Sequence, residues 1–362
     1  MLYYLLYPLR DVISGFNVFR YITFRTAFAA ITAMLISFIL GPWLIDKMTK
    51  IKLGQYIREE GPKSHQQKAG TPTMGGILIN LAIVIPTLLW ADILNPYIWI
   101  ILFVTFAYGV IGFIDDYRKL AKKRNLGLSA KEKFGAQFGV ALLAALAIAY
   151  LPTIHNNYST TLTFPFLKNF VLNLGFLYIP FIMVILVGAS NAVNLTDGLD
   201  GLAIGSTLVA ATTYTILTYA AGHFRIADYL RIAWVPQTSE LAVFCGAMVG
   251  ASLGFLWFNA HPAEIFMGDV GSLALGGAIG CLAVMIKQEL LLVLVGGLFV
   301  VEALSVIIQV ASFKLTGRRV FKMSPLHHHF ELSGWRETKV VVRFWIIAIM
   351  FALLSLATLK LR

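Results

Sequence analysis

The chain has 362 residues, 58% of them hydrophobic and only 13% charged. A water-soluble globular domain is nearer half apolar and a quarter charged, so an ordinary soluble enzyme and an intrinsically disordered chain are both excluded. The formal charge of +11 suits cytoplasmic loops on anionic headgroups and a phosphate-bearing substrate; no basic run is long or interleaved with aromatics, so nucleic acid is not an expected partner.

In chain order, residues 1–21 come first, with Arg10, Asp11 and Arg20 around a short apolar piece. They read as an interfacial amphipathic segment and not as a cleaved signal peptide. Ten apolar runs follow, at 22–44, 73–91, 97–114, 134–151, 174–191, 202–221, 241–258, 272–286, 289–312 and 341–358. A lipid environment forces backbone groups to pair within each segment, so these runs are predicted as helices. The expected fold is all-α: a polytopic integral membrane protein with about ten transmembrane helices, forming one domain over residues 1–362. The run at 272–286 is short, and either starts earlier or thins the bilayer locally. Cys245 and Cys281 lie inside apolar runs and read as small core residues.

The connecting loops divide by parity. Loops 45–72, 115–133, 192–201, 259–271 and 313–343 hold 20 of the 29 Lys and Arg. The termini and alternate loops hold 8, and Arg25 is expected to snorkel from the end of the first span. The positive-inside rule places the first set in the cytoplasm and both termini in the periplasm. Almost every unusual polar cluster falls in that cytoplasmic set, and the alternate loops read as plain connectors.

The first cluster runs from Gly61-Pro62-Lys63-Ser64-His65 to Lys68-Ala69-Gly70-Thr71-Pro72-Thr73-Met74-Gly75-Gly76. Small residues entering a helix can cradle phosphate, or simply form a turn and a packing face. Asp115-Asp116-Tyr117-Arg118-Lys119 ends the third span; adjacent carboxylates at that depth are useful when a cation or a proton sits between them. In Asn191-Ala192-Val193-Asn194-Leu195-Thr196-Asp197-Gly198-Leu199-Asp200-Gly201, no Lys or Arg neutralises the two acids, which share a face if the helix continues. Helix capping is the structural alternative. Asn259-Ala260-His261-Pro262-Ala263-Glu264-Ile265-Phe266-Met267-Gly268-Asp269-Val270-Gly271-Ser272 reads either as a capped helix start or as a hard-cation ligand with Phe266 as a stacking surface.

In the last cytoplasmic loop, Arg318, Arg319 and Lys322 precede Ser324-Pro325-Leu326-His327-His328-His329-Phe330-Glu331. Three consecutive histidines cannot all point one way in a helix, so a loop or broken turn is expected. Their spacing is not that of a zinc site, and hydrogen bonding to phosphate fits better. Glu302 is the only acid deep in a span, and is expected to pair with Gln309 across a helix interface. If the five loops converge, their acids would bind Mg²⁺ and their bases phosphates, the inventory of phosphoryl transfer at a membrane edge.

The runs Asp115 to Lys119, Asn194 to Gly201 and Phe266 to Ser272 resemble the polyprenyl-phosphate N-acetylhexosamine-1-phosphate transferases. The added run Pro325 to Glu331 is similar to the muramoyl branch, the phospho-N-acetylmuramoyl-pentapeptide transferases of peptidoglycan synthesis. The likeness extends from about Lys68 to the last span. It implies a ten-helix fold in the bacterial cytoplasmic (inner) membrane, a homodimer among membrane lipids, and a Mg²⁺-dependent active site on the cytoplasmic face. The implied substrates are UDP-N-acetylmuramoyl-pentapeptide and undecaprenyl phosphate, and the implied products are lipid I and UMP.

By the same resemblance Asp269 is the metal ligand, and Asp115 and Asp116 are the base or the positioners of the lipid phosphate. Asn194, Asp197 and Asp200 line the nucleotide site, with Asn259 and Phe266 on uracil and Ser272 beside them. Lys68, Thr73, Lys119 and Lys123 meet phosphates or the nucleotide. His327, His328 and His329 contact the diphosphate or the sugar-peptide end, with His327 taking a catalytic part, and Gln309 lies at the rim. A phosphomonoester is largely ionised near neutral pH, its second pKa being about 6. Single displacement is therefore preferred to a two-step path through a phospho-aspartate. The rival readings are transfer of N-acetylglucosamine 1-phosphate, against which the triple histidine argues; a transporter, which would carry its charges near the midplane; and a metalloprotease, for which no His-Glu-x-x-His pattern is present.

Overall fold

The computed structural model describes residues 1–50, 70–121, 127–150 and 160–359; Lys68, Lys123 and the run 61–65 lie outside the described residues. The helices in chain order are α1 (Leu2–Leu6), α2 (Ile22–Lys50), α3 (Gly76–Trp90), α4 (Pro96–Ala121), α5 (Ala130–Tyr150), α6 (Tyr178–Thr196) and α7 (Leu202–Gly222). They continue with α8 (Phe224–Leu230), α9 (Leu241–Asn259), α10 (Gly268–Met285), α11 (Leu292–Val295), α12 (Gly297–Thr316), α13 (Leu326–Glu331) and α14 (Glu337–Thr358). Among the described residues, nine helices are long and apolar enough to cross a membrane, and α3 is a shorter apolar helix beside them. The all-α polytopic expectation therefore holds.

Several boundaries differ from the apolar runs, three of them in ways that bear on the packing. The short apolar helix is α3, with 15 residues, and not the run at 272–286. Residues 72–75 are drawn into backbone pairing instead: Phe266 N–H donates to Pro72 O (2.8 Å), and the Gly75 and Gly76 N–H groups donate to Phe266 O and Met267 O (2.9 and 2.8 Å). Helix α10 starts earlier than its apolar run, at Gly268, and reaches 18 residues. The run at 289–312 is interrupted at Gly296, between α11 and α12.

One element lies outside the all-α expectation. β1 (Thr161–Phe164) pairs antiparallel with β2 (Leu167–Asn173), with a register irregularity between Thr163 and Phe164. Thr163 Oγ1 donates to Lys287 O (3.2 Å), and Lys287 Nζ donates to Thr161 O (3.3 Å), which ties the hairpin to the segment after α10.

Helices α9 and α10 are the most buried spans. Apolar side chains gain little by leaving lipid for protein, so close packing of small residues has to hold such helices together. Gly246, Gly250 and Gly254 of α9 face α2, where an added Cβ would overlap Thr26, Ala30 and Ser37 in turn. Gly276 of α10 meets Ala189 and Ser190 of α6, and Gly277 meets the Tyr108 ring of α4. Cys245 and Cys281 are buried and unpaired with each other, as core residues should be.

The alternate loops are not plain connectors. Arg25 does not snorkel: it is buried and ion-paired with the buried Glu240, whose Oε1 also accepts the Asp92 N–H (2.6 Å). Lys287 donates to Tyr178 Oη (2.6 Å), which donates to Glu289 (2.5 Å). Loop acids that look isolated along the chain find these partners only once α2, α6 and α9 are packed.

Removing one member of a buried ion pair leaves the other charge without a counter-ion, which costs about 3–5 kcal/mol. Arg25→Met should therefore lower the thermal midpoint of the detergent-solubilised protein markedly, while Arg25→Met combined with Glu240→Gln should recover much of the loss. An unchanged midpoint in the single variant would mean that water reaches Glu240.

Candidate active site

Charged residues in the last turns of α4 continue the helix beyond the apolar run, so Asp115 and Asp116 sit on a helix and not in a loop. Asp269 lies in the first turn of α10 and is not an N-cap: Met267 occupies that position, with no side-chain bond. One oxygen from each of the three acids lies within 4.8 Å of the others. Lys119 Nζ reaches all three, at 2.7 Å from Asp115 Oδ2, 3.2 Å from Asp116 Oδ1 and 3.1 Å from Asp269 Oδ2. Lys133 Nζ is 2.5 Å from Asp269 Oδ2 and 3.7 Å from Asp115 Oδ2. The remaining oxygens are fixed by backbone: Asp115 Oδ1 accepts the Leu128 N–H (2.7 Å), and Asp116 Oδ2 accepts the Val270 N–H (3.3 Å). Gly268 makes this approach feasible. Its φ is +69°, and a Cβ there would come 2.5 Å from Asp116 Oδ2 and 3.0 Å from Thr73 Oγ1. Thr73 is thereby beside the acid group, and buried.

The chain does not continue as a helix through the second acidic run. Asp197 follows the last residue of α6, and Gly201 takes φ +78° before α7 begins. Asp197 and Asp200 therefore do not share a helical face. Asp197 is directed at the start of α10, where the Gly268 N–H bonds it. Asp200 belongs to a second group with His261 and Glu337. Its Oδ2 lies 3.1 Å from His261 Nδ1 and accepts the Ala263 N–H (3.1 Å), while its own N–H donates to Glu337 Oε1 (2.9 Å). Asn194 is half-buried in the last turn of α6. Asn259 is buried and spans two loops, accepting the Gly201 N–H (3.1 Å) and donating to Ile265 O (2.8 Å). Ser272 is buried and donates to Gly268 O (3.0 Å); the backbone of half-buried Phe266 pairs with 72–75.

The histidine run is helical, not a loop: all three residues lie in α13, and the His327 and His328 rings meet edge to face with centroids 4.2 Å apart. His327 is fully buried, with Nδ1 3.2 Å from Glu302 Oε2. His328 Nδ1 is 2.9 Å from Glu331 Oε2, and His329 Nδ1 accepts the Lys322 N–H (3.1 Å). Both of these rings are half-buried. Glu302 does not pair with Gln309. It accepts the Leu326 and His327 N–H groups (2.8 and 3.2 Å) and so caps α13 from another helix. Gln309 bonds Val320 and Phe321 backbone (2.9–3.0 Å), fastening the segment that leads to α13.

Four residues of these groups escaped the sequence reading: Lys133, His261, Glu302 as a cap, and Glu337. Lys133 carried a usable signal. Ser129 and Glu132 form a reciprocal capping box (Ser129 N–H to Glu132 Oε2, 2.8 Å; Glu132 N–H to Ser129 Oγ, 3.3 Å), which starts α5 and sets Lys133 one residue beyond the box. The other three depend on contacts between distant segments.

Residues 98–287 match the family model described as Glycosyl transferase family 4, and residues 68–79 match Phospho-N-acetylmuramoyl-pentapeptide-transferase signature 1. The chain is 60% identical over 366 residues to a protein of Desulfatibacillum aliphaticivorans, 57% over 380 residues to one of Koribacter versatilis and 56% over 362 residues to one of Citrifermentans bemidjiense. All three are named phospho-N-acetylmuramoyl-pentapeptide-transferase, and each alignment covers 100% of both chains.

Burial, in the company of Asp269, Asp116 and Asp200, raises the Asp197 carboxyl to about 8 against the pull of the Gly268 N–H. In an unfolded chain an aspartate titrates near about 3.9, so the folded state binds the extra proton between those values. The stability this proton supplies is full below pH about 4 and is lost as pH rises through about 8. The thermal midpoint should fall between pH about 6 and about 8.5, and Asp197→Asn should flatten that fall. Parallel profiles for the two proteins would show that Asp197 is ionised throughout.

Proposed function

The chain belongs to the phospho-N-acetylmuramoyl-pentapeptide-transferase family, and we propose that it moves phospho-N-acetylmuramoyl-pentapeptide from its UDP-linked donor to undecaprenyl phosphate, releasing UMP. The observation that carries the mechanism is the meeting of Asp115, Asp116 and Asp269 with Lys119 and Lys133 at one end of the helix bundle. Carboxylate oxygens this close are hard donors of the kind Mg²⁺ takes, and the lysine ammonium groups held among them support a cation-binding reading. Asp269 is the metal ligand in this reading, with Asp115 and Asp116 beside it. Bound there, Mg²⁺ would stabilise charge on the transferring phosphoryl group.

The chain's own residues supply orientation and positive charge. Each of Asp115 and Asp116 has one oxygen anchored by a backbone N–H and the other turned toward Lys119. Carboxylates engaged in this way are poor nucleophiles but good positioners, which supports single displacement. An oxygen of the lipid phosphate forms a bond to the sugar-bearing phosphorus, and the bond from that phosphorus to the bridging oxygen breaks, so that UMP leaves with the electron pair. Asp116 orients the attacking phosphate and takes a residual proton. Lys119 and Lys133 offset the negative charge of the two phosphate groups as they meet.

Asp197, the Asn194 end of α6 and Phe266 would border the nucleotide, with Asp200 and Asn259 holding the loops around it. His328 and His329 would face the diphosphate or sugar-peptide end. The site would lie on the cytoplasmic face and both termini in the periplasm, because the loops at the site end hold 20 of the 29 Lys and Arg.

The test is UMP release by the purified protein with undecaprenyl phosphate and Mg²⁺, with UDP-N-acetylmuramoyl-pentapeptide and UDP-N-acetylglucosamine offered in parallel. Release with the first donor alone is expected. Release with the second alone would keep the chemistry and overturn the donor. Asp269→Asn should lower Mg²⁺-dependent turnover by at least about a hundredfold, the scale on which losing one charge-stabilising group acts; near-normal turnover would remove Asp269 as a ligand.

A further inference from the structure

His327 packs edge to face on His328 but differs from the other two histidines in its burial. It is fully buried, and neither ring nitrogen makes a hydrogen bond. On one side Nδ1 lies 3.2 Å from Glu302, itself fully buried and already holding two N–H groups of α13. On the other side Nε2 is pressed against Gly198, where any Cβ would overlap it. Gly198 is the residue between Asp197 and Leu199, in the turn that carries both acids of the second run. A buried ring nitrogen without a partner is costly, and such features persist where geometry is over-determined.

We infer that Glu302 and His327 are positioning residues: a buried strut between α12 and the Asp197–Asp200 turn that sets how far that turn stands from His328 and His329. The inference rests on the proposed transfer reaction for its substrate, since the two groups held apart are those that would meet the nucleotide donor. Glu302 fixes α13 through its first turn and holds the Nδ1 side of the ring. The Nε2 edge then sets the position of the turn by contact alone. With its ring edges taken up by Glu302 and Gly198, His327 contributes to donor binding and not to bond breaking.

The two ring nitrogens can be tested separately. An Asn side chain keeps a polar atom near the Nδ1 position but lacks the outer edge of the ring, whereas Gln reaches the Nε2 position and loses the Nδ1 one. His327→Gln should keep the donor kcat/KM within about fivefold of wild type and His327→Asn should lose at least about tenfold, a difference of about 1.4 kcal/mol per factor of ten. Gly198→Ala should raise the donor KM by about tenfold and leave the KM for undecaprenyl phosphate within about twofold. Adding His327→Asn to Gly198→Ala should restore the donor KM, because the shorter side chain makes room for the methyl group.

A second readout does not need turnover: the rise in thermal midpoint caused by UDP-N-acetylmuramoyl-pentapeptide should vanish in Gly198→Ala and return in the double variant. If wild type released no UMP but these shifts followed the expected order, the transfer reading would fail and the strut would stand. Asn outperforming Gln, or a double variant no better than Gly198→Ala by both readouts, would overturn the strut. So would equal rises in the KM of both substrates, which a general distortion of the site would give.

Discussion

Three carboxylates brought within a few ångströms of one another at the edge of a membrane are the constraint from which much of this architecture follows. Two unit charges 4 Å apart interact by about 4 kcal/mol at an effective dielectric near 20, so three acids cannot share that space without positive charge among them. Lys119 supplies it from the same helix turn as Asp115 and Asp116, and Lys133 from the next helix. A small divalent cation would relieve the same repulsion, and lysines it displaced would be free to meet phosphate. A fold that brings α4, α5 and α10 together at this end has therefore to deliver charge balance as well as side chains.

Close backbone approach is the means. α4 can reach the first turn of α10 because position 112 is glycine: a side chain there would overlap Asp269 O. Position 76 plays the same part between α3 and Gly271. In water such contacts would be one contribution beside a large hydrophobic term. In lipid that term is small, and small-residue packing carries more of the association. The glycine stripe of α9 against α2 and the glycines of α10 against α6 hold the centre of the bundle, and the acid site inherits its rigidity from them.

A second layer of polar contacts controls the loops around the acids. Asn259 joins the start of α7 to the loop before α10, Asp200 fastens that loop through His261 and Ala263, and Gln309 and Glu302 fix the segment leading into α13. These polar residues look like substrate contacts along the chain because they are unusual for a membrane protein. In the folded protein much of their hydrogen-bonding capacity goes to backbone groups that a helix end or loop leaves unpaired. Such groups are expensive to bury, and side chains from neighbouring segments satisfy them.

Much of the fold was legible in the linear sequence. Ten apolar runs, the parity of the basic loops and the acidic motifs at their ends follow from rules that act residue by residue: hydropathy, backbone satisfaction in lipid and the chemistry of carboxylates. The lines that could not be read share one feature, dependence on partners far away in the chain. Arg25 looked free to snorkel until α9 delivered Glu240 to it, and Glu302 looked like a partner for Gln309 until α13 arrived with two unpaired N–H groups. The three histidines were visible as a motif, but only the packing of α13 against Glu302 and Gly198 decided that one faces inward while its neighbours stay half-exposed. Hydropathy and local chemistry thus determined which segments cross and which residue types could do chemistry; tertiary packing decided which of them meet, because hydrogen bonds and ion pairs form over about 3 Å in space, without regard to separation along the chain.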